Sequence, residues 1–305
     1  MKKLLPVLTL CSLVAIPANA NAAQMGGGAV VGPPGGANRG VFEQIWFKTP
    51  RSLPGRMDVE MEVDNLRCDD PAFGAPANAP VTTGVNSFED VRVARDGSFS
   101  ATFVLDQTAP TGEKSTGRST LKGKLDGKRA SGTIRAVIDV TDESGNPKTK
   151  CVLERTRWVA SSERVTGERV QKPEARRYFG VNGTRASSRT RLNTVVNVNR
   201  ARTKGAIVIG YNARCQEDPE NPFFGAADYS PIFRIENGKF SMKETYSFGD
   251  PSGAGFAGRI TTRYAGAFAE GGVKGTLRIR ATLFQDGQEI DRCDTGKVKW
   301  RAVQT

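Results

Sequence analysis

Leu121-Lys-Gly-Lys-Leu125, Ser131-Gly-Thr-Ile-Arg135, Cys151 and Trp158-Val-Ala160 occur in that order in the first half of the chain. Tyr264-Ala-Gly-Ala-Phe268, Lys274-Gly-Thr-Leu-Arg278, Cys293 and Trp300-Arg-Ala302 follow the same order in the second half. Gly123/Gly266 and Gly132/Gly275 each differ by 143 positions, and Cys151/Cys293 and Trp158/Trp300 by 142. Upstream, Leu66-Arg-Cys-Asp-Asp-Pro71 matches Ala213-Arg-Cys-Gln-Glu-Asp-Pro219, and Asp96-Gly-Ser-Phe-Ser100 matches Asn237-Gly-Lys-Phe-Ser241. Blocks held in one order at a near-constant offset mark an internal duplication.

The blocks read as strands. Met57, Val59, Met61 and Val63 alternate with Asp58, Glu60, Glu62 and Asp64, and Phe99, Ala101, Phe103 and Leu105 alternate with polar neighbours. That period of two belongs to a half-buried strand. Ile134 to Val140, Thr194 to Val198, Ala206 to Tyr211 and Thr276 to Phe284 are β-branched and apolar. Asp96-Gly97, Asp126-Gly127, Asn237-Gly238 and Asp286-Gly287 supply turns. No stretch keeps a helical period over three turns. The fold class expected is all-β: two tandem sandwich-like or barrel-like domains, residues 41–160 and 178–305.

Residues 1–22 read as a signal peptide. Lys2 and Lys3 precede a short apolar run, Leu4 to Ile16, and small residues end it at Pro17-Ala18-Asn19-Ala20. The run is far below the roughly 20 residues that span a bilayer, and no later segment reaches that length. Residues 23–40, with Gly26-Gly-Gly28 and Pro33-Pro-Gly-Gly36, read as a flexible arm, and residues 161–177 as a charged linker. Cys11 leaves with the signal, so Cys68, Cys151, Cys215 and Cys293 remain. An even count in an exported chain favours disulfides. Three pairings are open to four cysteines; a duplicated fold that repeats its cross-link selects Cys68–Cys151 and Cys215–Cys293.

The chain has no histidine. Ser-His-Asp and Cys-His catalysis and His-ligated zinc are therefore excluded, and the usual general base near neutral pH is missing. No catalytic residue, metal ligand or cofactor is assigned. The full chain carries a net charge of +12, or +10 without Lys2 and Lys3. Between Arg155 and Arg214 stand fourteen basic and three acidic residues, a balance of +11. Twelve of the fourteen are arginines, whose planar fork suits carboxylate and phosphate. Arg189 and Arg191, then Arg200, Arg202 and Lys204, recur at spacing two and would share a face on extended segments. These five are the candidate contacts to an anionic polymer: wall polyanion, acidic glycan, nucleic acid or anionic lipid headgroups. Nucleic acid is the weakest of these, because no aromatic residue stands between Phe179 and Tyr211. The plainer account is a solvated basic face.

Other features have competing readings. Asp58, Glu60, Glu62 and Asp64 offer carboxylates at a spacing that a glycosidase could use, or simply the wet side of a strand. They could also dock on the basic second repeat. Asp69-Asp70 and Glu217-Asp218 suggest calcium ligands or turn acids. Trp158 and Trp300 are expected against the disulfides, Gly123, Gly132 and their counterparts in turns or bends, and Trp46 in the core or stacked on a sugar. Asn182-Gly-Thr184 fits a glycosylation acceptor. The Gly-Thr-Ile/Leu-Arg block, then Cys, then Trp-x-Ala, resembles a pattern in exported proteins of high-GC Gram-positive bacteria. The resemblance covers both repeats and implies an envelope or extracellular β-domain with no activity attached. The function expected is an exported, non-enzymatic, envelope-associated module whose basic second repeat contacts an anionic cell-envelope polymer or glycan. The alternatives are a carboxylate-based glycan hydrolase and a self-associating structural protein of the envelope.

Overall fold

The computed structural model describes residues 23–31, 41–62, 66–69, 85–109, 112–183, 191–217 and 223–304. Period-two alternation forms strands throughout. The first repeat comprises β1 (Gln24–Val31), β2 (Val41–Lys48), β3 (Gly55–Glu62), β4 (Arg67–Cys68), β5 (Val85–Val93), β6 (Ser98–Thr108), β7 (Lys114–Asp126), β8 (Arg129–Thr141) and β9 (Pro147–Ser161). The second comprises β10 (Arg177–Gly183), β11 (Arg191–Val198), β12 (Lys204–Cys215), β13 (Phe223–Tyr229) and β14 (Phe233–Arg234). It continues with β15 (Lys239–Phe248), β16 (Phe256–Ala269), β17 (Gly272–Gln285), β18 (Gln288–Asp294) and β19 (Val298–Gln304).

All pairings are antiparallel, and the first repeat closes on itself. The order β1-β2-β3-β5-β6-β7-β8-β9 returns to β1 through Gly26–Ser161, Gly27–Ala160 and Gly28–Val159, giving an eight-stranded barrel. The second takes the same course from β10 to β12, along β14 and through the Glu236–Lys239 turn into β15. From there β16 and β17 lead to β19, which pairs with β10. In the first repeat closure removes the exposed edges that an open sheet would leave; in the second, β14 and the turn after it bridge β12 and β15. Each barrel has its own core of inward residues, including Ile45, Phe47, Leu121 and Ile134 in the first and Val196, Ile207, Phe268 and Ile279 in the second.

β1 corrects the expectation of a flexible arm for residues 23–40. A side chain at Gly27 would sit 2.0 Å from the Val159 carbonyl oxygen, and one at Gly26 would sit 2.8 Å from Asn193 Cα. The glycines are there for close backbone approach, not for mobility. The signal-peptide residues 1–22 and residues 32–40 lie outside the described residues.

Both expected disulfides are present, and each joins residues directly opposite on paired strands: Cys68–Cys151 between β4 and β9, Cys215–Cys293 between β12 and β18. The tryptophans are not against them. Seven residues along β9 from Cys151 is about 23 Å of extended chain, so Trp158 lies toward the other end. There Gly123 and Gly132 face each other across β7 and β8. Side chains on them would meet Trp158 Cζ2 at 2.6 and 2.7 Å. Gly266 and Gly275 seat Trp300 in the same way. The glycine pair therefore lies mid-strand, which rules out the turn of the two expected places, turns or bends.

The barrels share a buried contact. Phe179, Val195 and Val208 of the second pack with Val159 of the first, and Asn193 Nδ2 donates to Gln44 Oε1. Neither the acidic face (Asp58, Glu60) nor the basic one (Arg200, Arg202, Lys204) takes part in this contact. The linker is also built in: Arg129 pairs with Glu163, Arg301 Nε donates to the Glu163 carbonyl at 2.7 Å, and Val165 packs with Ala269 and Val303.

Candidate functional site

A groove of about 1250 Å³ runs over the outside of the second barrel. Its floor is the outer face of β15, β16 and β17, where register sets two cross-strand rows. Ser241, Ala265 and Thr276 form one; Lys239, Ala267 and Lys274 form the other. Strands lie about 4.8 Å apart, so Lys239 and Lys274 are rooted about 10 Å apart with only a methyl group between them. Small floor residues leave the groove its depth.

Two further segments wall it. On one side is the linker, carrying Arg169 and Gln171. Val170 N donates to the Phe268 carbonyl at 3.1 Å and Glu270 N to the Glu168 carbonyl at 2.8 Å, so the wall is fixed by backbone bonds. Gly238 makes room for it: its φ is +69°, and a side chain there would meet the Val170 carbonyl oxygen at 1.8 Å. Tyr178 fastens the linker's end, its hydroxyl accepting from Ala175 N at 2.8 Å; burial pushes the phenol's pKa up. On the other side are Ile232, which is 41% exposed, Arg234 and Glu236. Four cations thus face one carboxylate across an open, solvated trough.

The structure separates the five residues expected to bind an anion. Arg189 lies outside the described residues. Arg191 begins β11, and the β11–β12 turn that carries Arg200 and Arg202 lies about 23 Å away at the strand's other end. Lys204 stands directly opposite Arg234, at the groove's rim. Arg202 Nη1 donates to the Pro173 carbonyl at 3.1 Å, bracing the linker. Of the predicted set, Lys204 borders the groove and Arg191 stands at the far end of β11. Arg169, Arg234, Lys239 and Lys274 were missed, because pairing brings them together across 105 positions of sequence (274 − 169).

The other candidates are taken up by structure. Asp58 Oδ1 accepts from Asp90 N at 2.9 Å, where β5 bulges against β3 and Asp90 has φ of 54°. Glu60 accepts from Trp46 Nε1 at 2.8 Å, so Trp46 lies half-buried on the outer wall while Ile45 and Phe47 fill the core. Asp64, Asp70 and Asp218 lie outside the described residues. Cys215, Asp291 and Cys293 cluster within metal-ligand range, but both sulfurs are committed to the disulfide and Asp291 accepts from Gln216 N and Glu217 N. Asn182 is buried, its Nδ2 donating to the carbonyls of Asn193 and Gly210, so the glycosylation pattern is part of the fold. Arg278 is held bidentately by Asp294, which Arg280 also contacts. Burial works to raise the Asp294 pKa; Arg278, Gly296 N and Arg280 outweigh it and hold the carboxyl below its usual range.

No family model matches the chain, and no curated protein does. A solved structure from Bacteroides fragilis, provisionally assigned as an outer membrane protein, aligns over 93% of this chain and 98% of its own. The identity is 11% and the TM-score 0.24, a likeness too weak to assign fold or function.

Proposed function

We propose that the chain is an exported, non-catalytic binding module that holds an anionic polymer in the groove of its second barrel. The observation that carries this reading is the row Lys239–Ala267–Lys274, flanked by Arg169 and Arg234, with Glu236 the one carboxylate among the described residues of the lining. Aligned cations on a small-residue floor suit a chain of anions lying across the strands. A volume above the roughly 300–1,000 Å³ of small-molecule sites, open along its length, suits a polymer segment better than a compact ligand. Export is supported by the charged start, short apolar run and small residues of positions 1–22, and by two disulfides, which persist in oxidising compartments. The resemblance to exported repeat proteins of high-GC Gram-positive bacteria belongs to the same reading, which places the protein in the envelope or outside the cell.

The test is titration of the mature chain with heparin as a generic polyanion. Changing Lys239→Gln together with Lys274→Gln should weaken binding about tenfold, the effect of losing roughly 1.4 kcal/mol. Wild-type binding should weaken as salt rises, because exposed charges are screened. Equal affinity of variant and wild type would overturn the assignment.

A further inference from the structure

Resting on that reading, we infer that the polymer in the groove is an acidic polysaccharide rather than a polyphosphate or a nucleic acid. The argument comes from what the groove holds besides cations. Gln171, Asn237, Ser241 and Thr276 line it with neutral amides and hydroxyls, each able both to donate and to accept. A polyphosphate offers acceptors only and would leave half of that capacity unused. A sugar chain offers hydroxyls that donate and accept in turn.

The apolar part of the lining points the same way. Ile232 is exposed at the groove's edge, and Ala265 and Ala267 present methyl groups on the floor. The C–H face of a pyranose ring can lie on such a surface, whereas a phosphate chain has no apolar face to bury. Among the described residues the lining has no aromatic ring on its open outer face to stack a nucleobase: Phe233 and Phe240 are buried and stacked on each other with centroids 4.0 Å apart.

Charge spacing adds a third constraint. Lys239 and Lys274 are rooted about 10 Å apart, wider than successive phosphates of a polyphosphate. One carboxylate on every second sugar, as in alternating uronic-acid polymers, meets that spacing. Each ammonium then takes one carboxylate, and the amides and hydroxyls take the intervening sugar.

Three probes test this on the mature chain at one salt concentration: hyaluronate, polyphosphate of matched total charge, and neutral dextran. Hyaluronate is expected to bind at least about tenfold more tightly than polyphosphate, with dextran weakest. Gln171→Ala with Ser241→Ala, both at exposed positions, should weaken hyaluronate severalfold and polyphosphate by a smaller factor, because phosphate oxygens use the donors of these side chains and not their acceptors. Polyphosphate binding as tightly as hyaluronate, or the neutral pair of substitutions having no effect on hyaluronate, would overturn the inference while leaving an anion-binding groove. Failure of both polyanions to bind would remove the underlying function instead.

Discussion

The two barrels share a frame and differ in what they place inside and outside it. Register aligns Gly27 with Gly180 and Ala160 with Ala302, so Ile45 corresponds to Thr194 and Ala29 to Asn182. Likewise Phe103 corresponds to Glu244, through their partners Ser119 and Thr262. The first lumen carries apolar side chains at Ala29, Ile45 and Phe103, with a buried hydroxyl at Ser119, the counterpart of Thr262. The second carries Thr194 Oγ1, Thr262 Oγ1 and Asn182 Oδ1, all buried without a hydrogen-bond partner. On the outer wall, Lys239–Ala267–Lys274 answers to Ser98–Lys124–Ser131. The lesson is that the closing devices (disulfide, glycine pair, indole) are kept in both copies, while lining and surface have diverged.

The largest effect should come from the shared devices. Replacing Cys68 and Cys151 by alanine should cost about 4–5 kcal/mol in the chain-entropy model, as should replacing Cys215 and Cys293, because loops of 83 and 78 residues are nearly alike. Denaturant unfolding of the two double variants measures this; unequal losses would break the equivalence. Next, Gly132→Ala would place a methyl 1.9 Å from the Lys122 carbonyl, and Gly275→Ala 2.1 Å from that of Ala265. Each should lose about 1–3 kcal/mol or more by overpacking, visible in the same unfolding curves.

Smaller effects should separate the copies. Thr194→Val removes an unpartnered buried hydroxyl at constant shape and should stabilise by about 1 kcal/mol, whereas Ile45→Thr at the matching position should destabilise by about 1–3 kcal/mol. Equal signs in thermal melts would show that the lumens are not different after all. The smallest effect belongs to Asp294, whose counterpart in the first repeat is Val152. Its carboxyl is held below the ordinary value of 3.8, so its contribution is present above that pH and is lost as pH falls through the lowered value. Asp294→Asn should therefore be slightly less stable than wild type at pH 7, the gap closing in acid; a gap constant with pH would exclude the ion pair as its cause.

Much of the frame was legible because it is local or repeated. Alternation from Met57 and Phe99 gave strands, the Asp-Gly and Asn-Gly pairs gave turns, and the duplication chose the cysteine pairing. β1 was hidden because Gly26, Gly27 and Gly28 carry no period; their fitness lies in the backbones they approach, which the one-dimensional pattern does not display. The groove was hidden for a related reason. Counting charge along the chain drew attention to Arg189 through Lys204, but pairing distributes consecutive residues to opposite faces and ends. It also collects Arg169, Arg234 and Lys274 from three separate segments. Lys204, beside Arg234, is the point where the linear and folded views meet.

The joint between the halves has a mechanical consequence. Gly26 lies against the backbone of Gly180 and Asn193, with the Val181 side chain beside them, so the contact leaves no room for a side chain at position 26. The first barrel is therefore keyed to the second through main chain, and any bulk added at Gly26 would push the two apart.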